Sequence, residues 1–415
     1  MNPQTRTMVV IAILLLCVFS NSHSQSVNVP LNHWAYSFLE RLETRGFFSS
    51  QLLKTRPISR NDLANILAEL NKKHLNEQIK LSRTEMDMFE QLKGEFYEEL
   101  FQLSVRASSK YHERHFYQWK EGDSRFKIDI AFSQRFDIDR SDQSQSTVRT
   151  SRTTGGAIIR ANLKTSLACY LHFWNTLVRG EEISEENFNP EFGMPTVISG
   201  ANVYQDDASA YFVWQFPWFS FQFGRDQVRW GPGHQGNLLI SANNPLFEMF
   251  KIRALYKRFQ FTSIHGRLTS SYGRKFIAAH RIELRLFSWL HIAGSESVIY
   301  GNRGAELAYL NPIMPYHIAE HHLGDRDNNA IGFDFTLYPH AGHKFYGELF
   351  IDDFTSAENP FTYFGNKFAF QLGHHWVNPL GISDIDFRAE YTRVEPYVYT
   401  HYDSINIYQH YNQHI

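Results

Sequence analysis

From Ala157 to Phe173 the chain alternates strictly. Ala157, Ile159, Ala161, Leu163, Thr165, Leu167, Cys169, Leu171 and Phe173 interleave with Ile158, Arg160, Asn162, Lys164, Ser166, Ala168, Tyr170 and His172. One set is almost wholly apolar; the other is largely polar and carries Arg160 and Lys164. Successive side chains of an extended chain point to opposite faces, so the run reads as a strand with one greasy and one wet side. Phe126, Ile128, Ile130 and Phe132 alternate in the same way with Lys127, Asp129, Ala131 and Ser133. The period recurs over 209–216, 218–224, 250–256, 258–265, 276–286, 331–338, 344–351, 367–373 and 384–393. Many of these runs are separated by polar, Gly- or Pro-containing turns.

Alternation alone fits a soluble sandwich as well as a membrane barrel. Three features favour the barrel. The β region spans about 290 residues, which at roughly 16 residues per strand and turn gives on the order of 18 strands, a normal outer-membrane size. Trp174, Trp214, Trp218, Trp289 and Trp376 fall near expected strand ends, where interfacial girdles lie. The polar faces carry arginines and carboxylates, as a hydrated lumen does. Composition agrees: aromatics make up 15% of a chain whose mean hydropathy is negative. No apolar run beyond residue 20 approaches the ~18 residues of a spanning helix. Lys and Arg (41) nearly balance Asp and Glu (43), so no charge excess points to nucleic acid. The expected fold is mainly β: a large antiparallel outer-membrane β-barrel of about 16–18 strands behind a small N-terminal α-helical bundle.

Residues 1–24 read as a secretory signal, with Arg6 in the n-region, Met8–Ser20 as the apolar h-region and Ser22-His23-Ser24 as the cleavage site. Cys17 raises a lipoprotein alternative, against which stands the bulky Leu16. After cleavage only Cys169 remains, so no intramolecular disulfide is expected. Residues 25–105 have helical periodicity and read as a periplasmic bundle of three helices. Asn32 is the expected cap of a first helix striped by Trp34, Phe38, Leu39 and Leu42 and closed by Gly46. Ser59 with Asp62, and Ser82 with Glu85, form capping boxes before the other two. Residues 106–415 are the expected transmembrane barrel.

Several segments resemble the Wzi capsule-assembly family. They are Val29–Tyr36 with Leu39-Glu-Arg-Leu42 and Thr55–Arg60; Gly224-Arg-Asp-Gln-Val-Arg-Trp-Gly-Pro-Gly233 continuing through Gly236–Ser241 to Asn244-Pro245; Ser295–Tyr300 through Leu310-Asn-Pro312 to Asp327-Asn328; and Gly347–Asp353. The likeness runs in order through nearly the whole mature chain. It implies an outer-membrane barrel with a periplasmic helical bundle. It also implies a lectin-like, non-enzymatic role in surface attachment and assembly of capsular polysaccharide or exopolysaccharide. One departure is that the chain ends at Ile415, soon after Tyr408–Tyr411 and without a terminal aromatic, so the last strands are expected to be absent or the closure to differ.

Some motifs point elsewhere. Gly231, Gly233 and Gly236 satisfy G-x-G-x-x-G, but Pro232 lies inside the motif and no helix or βαβ unit is expected around it; they read as structural turn glycines. His317-Ile-Ala-Glu320-His321 matches H-x-x-E-H, a metal motif that works only on a helix, and here the prolines at 312 and 315 suggest a loop. Asp325, Asp327 and Asn329 resemble the start of a calcium loop, but Ala330 and Thr336 replace its glycine and glutamate. Asp352 and Asp353 are adjacent on a strand and point oppositely, a poor acid–base pair. The candidate site, as a polysaccharide-binding surface or a lumen charge network, is Arg225, Asp226, Arg229, Trp230, Asp327, Asn328, Asp352 and Asp353. Arginine forks suit acidic sugars, Trp230 offers a flat ring, and Tyr309–Tyr316 and Tyr397–Tyr402 are further candidate sugar contacts. No cofactor and no metal are expected. The expected partners are polysaccharide and outer-membrane lipid, with export or barrel-insertion machinery as further candidates. A porin-like conduit is the alternative function, and a barrel enzyme the third.

Overall fold

The computed structural model describes residues 26–49, 51–105, 111–140, 147–163, 167–180, 194–199, 202–243, 245–354, 359, 363, 365–411 and 413–415. The leader of residues 1–24 and the connections 164–166 and 181–193 lie outside them.

The N-terminal part forms helices α1 (Ala35–Thr44), α2 (Arg60–Leu75), α3 (Arg83–Glu95) and α4 (Tyr97–Gln102). Both capping boxes are present: Ser59 and Asp62 exchange bonds at the start of α2, and Ser82 and Glu85 do so at α3. Each is worth about 1 kcal/mol. Two expectations need correcting. Asn32 does not cap α1; the cap position is Trp34, with no side-chain bond. The third helical run is two helices, because Phe96 (φ −98°, ψ 24°) leaves helical geometry between α3 and α4. Phe38, Leu39 and Leu42 of α1, Leu63, Ile66, Leu67 and Leu70 of α2, and Phe89, Leu92, Phe96 and Leu100 bury one shared apolar core.

Between α1 and α2 lies a two-residue strand, β1 (Thr55–Arg56). The rest of the chain is dominated by one antiparallel sheet of fifteen strands. Its first half comprises β2 (Tyr117–Glu121), β3 (Ser124–Arg140), β4 (Thr147–Leu163), β5 (Leu167–Gly180), β6 (Met194–Ser199), β7 (Asn202–Gln215) and β8 (Phe219–Asp226). After the short β9 (Arg229–Trp230), which belongs to another sheet, come β10 (Phe247–Tyr256), β11 (Phe259–Leu268), β12 (Lys275–Phe287) and β13 (Leu290–Gly301). The sheet ends with β14 (Asn328–Leu337), β15 (His343–Asp353), β16 (Lys367–Val377) and β17 (Asp386–Val394). Each strand pairs with its sequence neighbour, except that β7 bridges β5 and β8 while β6 joins its first residues, and β8 passes directly to β10.

The long alternation at 157–173 is therefore not one strand. It is the hairpin β4–β5, with Leu163 opposite Leu167. Among the described residues the sheet has fifteen strands rather than 16–18, and its edges, β2 and β17, do not pair. Among the described residues, the segment after β17 adds no strand to it; it folds back across the long-loop end and forms a 3-10 turn (Ser404–Asn406) and the hairpin β18 (Gln409–His410) and β19 (Gln413–His414).

The two ends of the sheet differ. Connections at one end are short, as at 122–123, 216–218, 257–258 and 288–289, while the other end carries 227–246, 302–327 and 395–415. Trp214, Trp218, Trp289 and Trp376 all sit at the short-turn rim; Trp174 is mid-strand in β5. The helices lie at this short-turn end and touch the inner wall almost all round. Glu98 pairs with Lys127 of β3, Asp62 with Arg253 of β10, Thr55 with Glu283 of β12 and Arg41 with Asp386 of β17. One compact module reaching strands from β3 to β17 requires the sheet to curl around it. The outer face is greasy: Phe132 and Phe136 are 73% and 74% exposed, and Phe223, Phe333 and Leu372 are also exposed.

Candidate functional site

The Gly- and Arg-rich segment 224–241 leaves the wall and enters the interior. β8 stays in register to Asp226, and the chain then turns inward so that β9 pairs with β1, Trp230 opposite Thr55 and Arg229 opposite Arg56. The Gly231 N–H donates to Lys54 O (2.8 Å) and the Trp230 N–H to Ile240 O (3.0 Å). Two glycines are required here. Gly231 has φ +128°, and a side chain on Gly233 would lie 1.9 Å from Gly236 O. The Gly233 and Leu238 N–H groups both donate to the Glu348 carboxylate (3.1 and 2.7 Å), which ties the segment to the inner face of β15. A second carboxylate, Glu390 of β17, accepts the His234 and Gln235 N–H groups.

Trp230 is 1% exposed, so its ring presents no face to a ligand. It packs with Val228, Leu238, Leu239 and Ile240, with inner-wall residues such as Met249, Ile264, Ile299 and Phe350, and with Tyr408 and Ile415 of the C-terminal segment. The inner face is thus not uniformly charged. Its long-loop half holds an apolar core with a few buried charges such as Lys275 and Asp352 at its rim, and a denser charge cluster lies toward the helices. There Glu40 pairs with Lys344 and Arg388, and Lys54 with Glu43 at 2.7 Å. Burial raises the Glu40 carboxyl, but Lys344 and Arg388 outweigh it and hold it well below the usual carboxylate range.

The other sequence candidates scatter. Asp226 and Arg229 do not pair: Asp226 accepts from Asn28 and Gln222 (3.1 and 2.7 Å), while Arg229 donates to Gly233 O and His234 O. Arg225 lies on the outer face beside Glu248. Asp327 is clamped by Arg303 and accepts the Tyr309 hydroxyl (2.7 Å), and Asn328 donates to Asn406 O. Asp352 accepts the Tyr399 N–H from inside, and Asp353 pairs with Lys367 in solvent. No constellation of these eight residues converges on one point.

The excursion 302–327, which the prolines mark as a loop, is not without helix. It contains helices α5 (Leu307–Leu310) and α6 (Tyr316–His322), folded against the outer wall. Glu296 of β13 points outward and accepts the Tyr316 and His317 N–H groups (2.8 and 2.6 Å), with His280 beside it. Tyr309 and Tyr316 are buried against Ala278, Val298 and Tyr300 and are not open sugar contacts. The H-x-x-E-H stretch is helical, contrary to expectation, because Pro315 serves as a cap rather than a breaker. Among the described residues it assembles no metal-ligand group: His317 and His321 are exposed, whereas Glu320 turns into the buried, wall-facing side of the helix with Tyr316 and Ala319.

Burial, with Asp325, Asp327 and Asp353 nearby, pushes the Glu320 carboxyl up to about 8. A raised acid favours the folded segment fully below its unfolded value near 4.5, and that benefit is lost as pH rises through 8. Amide exchange in α6, corrected for the intrinsic rate, is therefore expected to accelerate from pH 5 to pH 9. Glu320→Gln should flatten that dependence; an unchanged slope would refute it.

What stays open at the long-loop end is a ledge on the C-terminal segment. Tyr397 and Tyr402 are 70% and 80% exposed, and the His401 ring lies tilted against Tyr402 with centroids 4.1 Å apart.

The family model for capsule assembly protein Wzi matches residues 87–414. No curated protein matches the chain. Among solved structures, Escherichia coli Wzi aligns with a TM-score of 0.52 at 15% identity, over 92% of this chain and 76% of that one. It is described as a carbohydrate-binding β-barrel of the outer membrane involved in group 1 capsule assembly. Pseudomonas aeruginosa OccK9 (OpdG) aligns at a TM-score of 0.32 and 12% identity, over 65% of this chain and 81% of that one. OccK8 (OprE) of the same organism aligns at 0.33 and 10%, over 65% and 84%. At 15% identity the likeness to E. coli Wzi speaks for the fold alone.

Proposed function

The chain belongs to the Wzi capsule assembly family of outer-membrane proteins, and we propose that it is a non-enzymatic, lectin-like barrel that attaches capsular or extracellular polysaccharide at the cell surface. In this reading the greasy outer face meets lipid, and the sheet closes between β17 and β2. The short-turn end, with its tryptophan rim and helical domain, faces the periplasm, since outer-membrane barrels carry short turns there and long loops outside.

The observation that carries binding over conduction is the filled interior. The β1–β9 ribbon, the Trp230 core and the returning C-terminal segment occupy the space a porin leaves open. A saccharide is then met at the surface, and the exposed Tyr397, His401 and Tyr402 offer rings for stacking. E. coli Wzi, described as carbohydrate-binding, supports the same ligand class.

Deleting the gene should move polysaccharide from the cell-bound to the released fraction, and re-expression should restore it. Ring contacts worth about 0.5–1.5 kcal/mol each imply that Tyr397→Ala/Tyr402→Ala binds polysaccharide roughly 10-fold more weakly while the barrel still shows heat-modifiable migration. Unchanged retention in the deletion strain would defeat the reading, and stepwise conductance of the intact protein in planar bilayers would favour a conduit.

A further inference from the structure

The outer wall carries a charged feature that sugar attachment does not use. At the long-loop end one cross-strand row runs Arg225 on β8, Glu248 on β10, Arg267 on β11 and Phe276 on β12. The next row toward the membrane centre is Phe223, Phe250 and His265, and Phe223 and Phe250 are exposed. The charged row thus marks the upper edge of the apolar band. Arg274, in the turn between β11 and β12, joins it around a cleft of about 750 Å3, closed on its inner side by His410 and Tyr411 of the C-terminal segment.

The cleft holds three guanidinium groups and one carboxylate. Arg225 spends one nitrogen on Glu248 (3.1 Å), and its buried Nε has no partner. Arg267 and Arg274 are exposed, and among the described residues neither has an acidic partner. Burial lowers His410 to about 4, so it adds no charge at neutral pH. Unpaired arginines at one site match the geometry and charge of phosphate oxygens. Basic pockets at headgroup depth bind lipid headgroups for the same reason.

We propose that this cleft binds the phosphorylated headgroup of a glycolipid in the outer leaflet, with Arg225, Arg267 and Arg274 as its phosphate ligands. The proposal rests on the orientation given above. Position decides for a lipid over an acidic polysaccharide. Arg225 and Arg267 project from the outer wall one row above Phe223, Phe250 and His265, where an acyl chain lies flat, and a hydrated glycan has no use for that surface. Glu248 orients Arg225 and tempers the site's charge.

The test is binding of diphosphoryl lipid A to the purified full-length mature protein in detergent, read by native mass spectrometry. The phosphorylated lipid should bind about tenfold more tightly than its dephosphorylated form. Arg225→Gln/Arg267→Gln/Arg274→Gln should erase the difference, and Glu248→Gln should enlarge it, a gain that misfolding cannot mimic. Millimolar inorganic phosphate should not compete. No preference for the phosphorylated lipid, an unchanged triple variant, full competition by inorganic phosphate, or tighter binding of polygalacturonate would each overturn the proposal. The last two would assign a free-anion site or an acidic-glycan site in its place. Ser271→Cys in a Cys169→Ser background, labelled on intact cells with an impermeant maleimide, reads the orientation separately. Labelling without lipid preference ends this proposal and spares the orientation; lipid preference without labelling reverses the orientation and ends the outer-leaflet assignment.

Discussion

Arg281→Ala is expected to destabilise the protein by about 3–5 kcal/mol, the cost of stripping the partner from a buried carboxylate. Arg281, on the inner face of β12, is 2% exposed. Its guanidinium pairs with Asp334 of β14, donates to Ser295 Oγ of β13 (3.1 Å) and donates from Nε to Thr55 Oγ1 of β1 (2.9 Å). Thr55 passes its own proton to Glu283 at 2.7 Å. One side chain therefore joins three wall strands to the segment that carries the helices. Removing it leaves Asp334 and the two hydroxyl oxygens facing a void. The urea concentration at which the heat-modifiable gel band converts measures the loss. Arg281→Met/Asp334→Leu separates charge from packing: with both ions gone it should recover most of the stability, because a buried pair replaced by apolar groups of similar volume is often neutral. A single variant within about 1 kcal/mol of wild type would show that the lattice does not bear on stability.

The reach of sequence reasoning is clearest at 157–173. The alternation is real, yet it hides a turn. Because Leu163 faces Leu167, an even separation, odd-numbered residues stay on the outer face of both β4 and β5. Periodicity then runs through the hairpin without a break, and only a Gly, Pro or Asn signal would have marked the reversal. The outward positions of β13 include Glu296, whose backbone donors come from α6, so the greasy-outside pattern that marks a strand in the sequence fails where a helix covers the wall.

The site was less legible than the fold. Arg225-Asp-Gln-Val-Arg-Trp230 was recognisable as unusual, but its residues serve different faces: Arg225 points out, Asp226 holds Asn28, and Trp230 is core. Nothing local to the sequence announces that β9 meets β1, since their partners are separated by more than 170 positions. Cross-interior pairing is a tertiary fact. Likewise Tyr309 and Tyr402 look alike in sequence; burial alone divides them into a buried support and an open ledge.

The anchor of the interior segment gives the second large effect. Glu348 accepts two backbone donors, Gly233 N and Leu238 N, from a loop that is also tied to β1, to Glu390, to Lys344 and Arg388 on the wall and to the Tyr399 hydroxyl, which donates to Leu238 O (2.7 Å). Glu348→Ala leaves the Leu238 N–H buried without a partner, while the Gly233 N–H keeps Asn237 Oδ1 (2.8 Å), so a loss of about 1–3 kcal/mol is expected. Glu348→Gln keeps one carbonyl oxygen and should lose about half as much. The loss should fall on the plug before the wall, because the strand ladder around β15 is untouched. The variant barrel should therefore still migrate as a folded band at room temperature yet show intermittent conductance steps in planar bilayers where wild type is silent. Equal silence and equal urea resistance in Glu348→Ala would mean that the Trp230 core alone holds the segment in place. The two carboxylates on β15 and β17 would then be lining rather than latch.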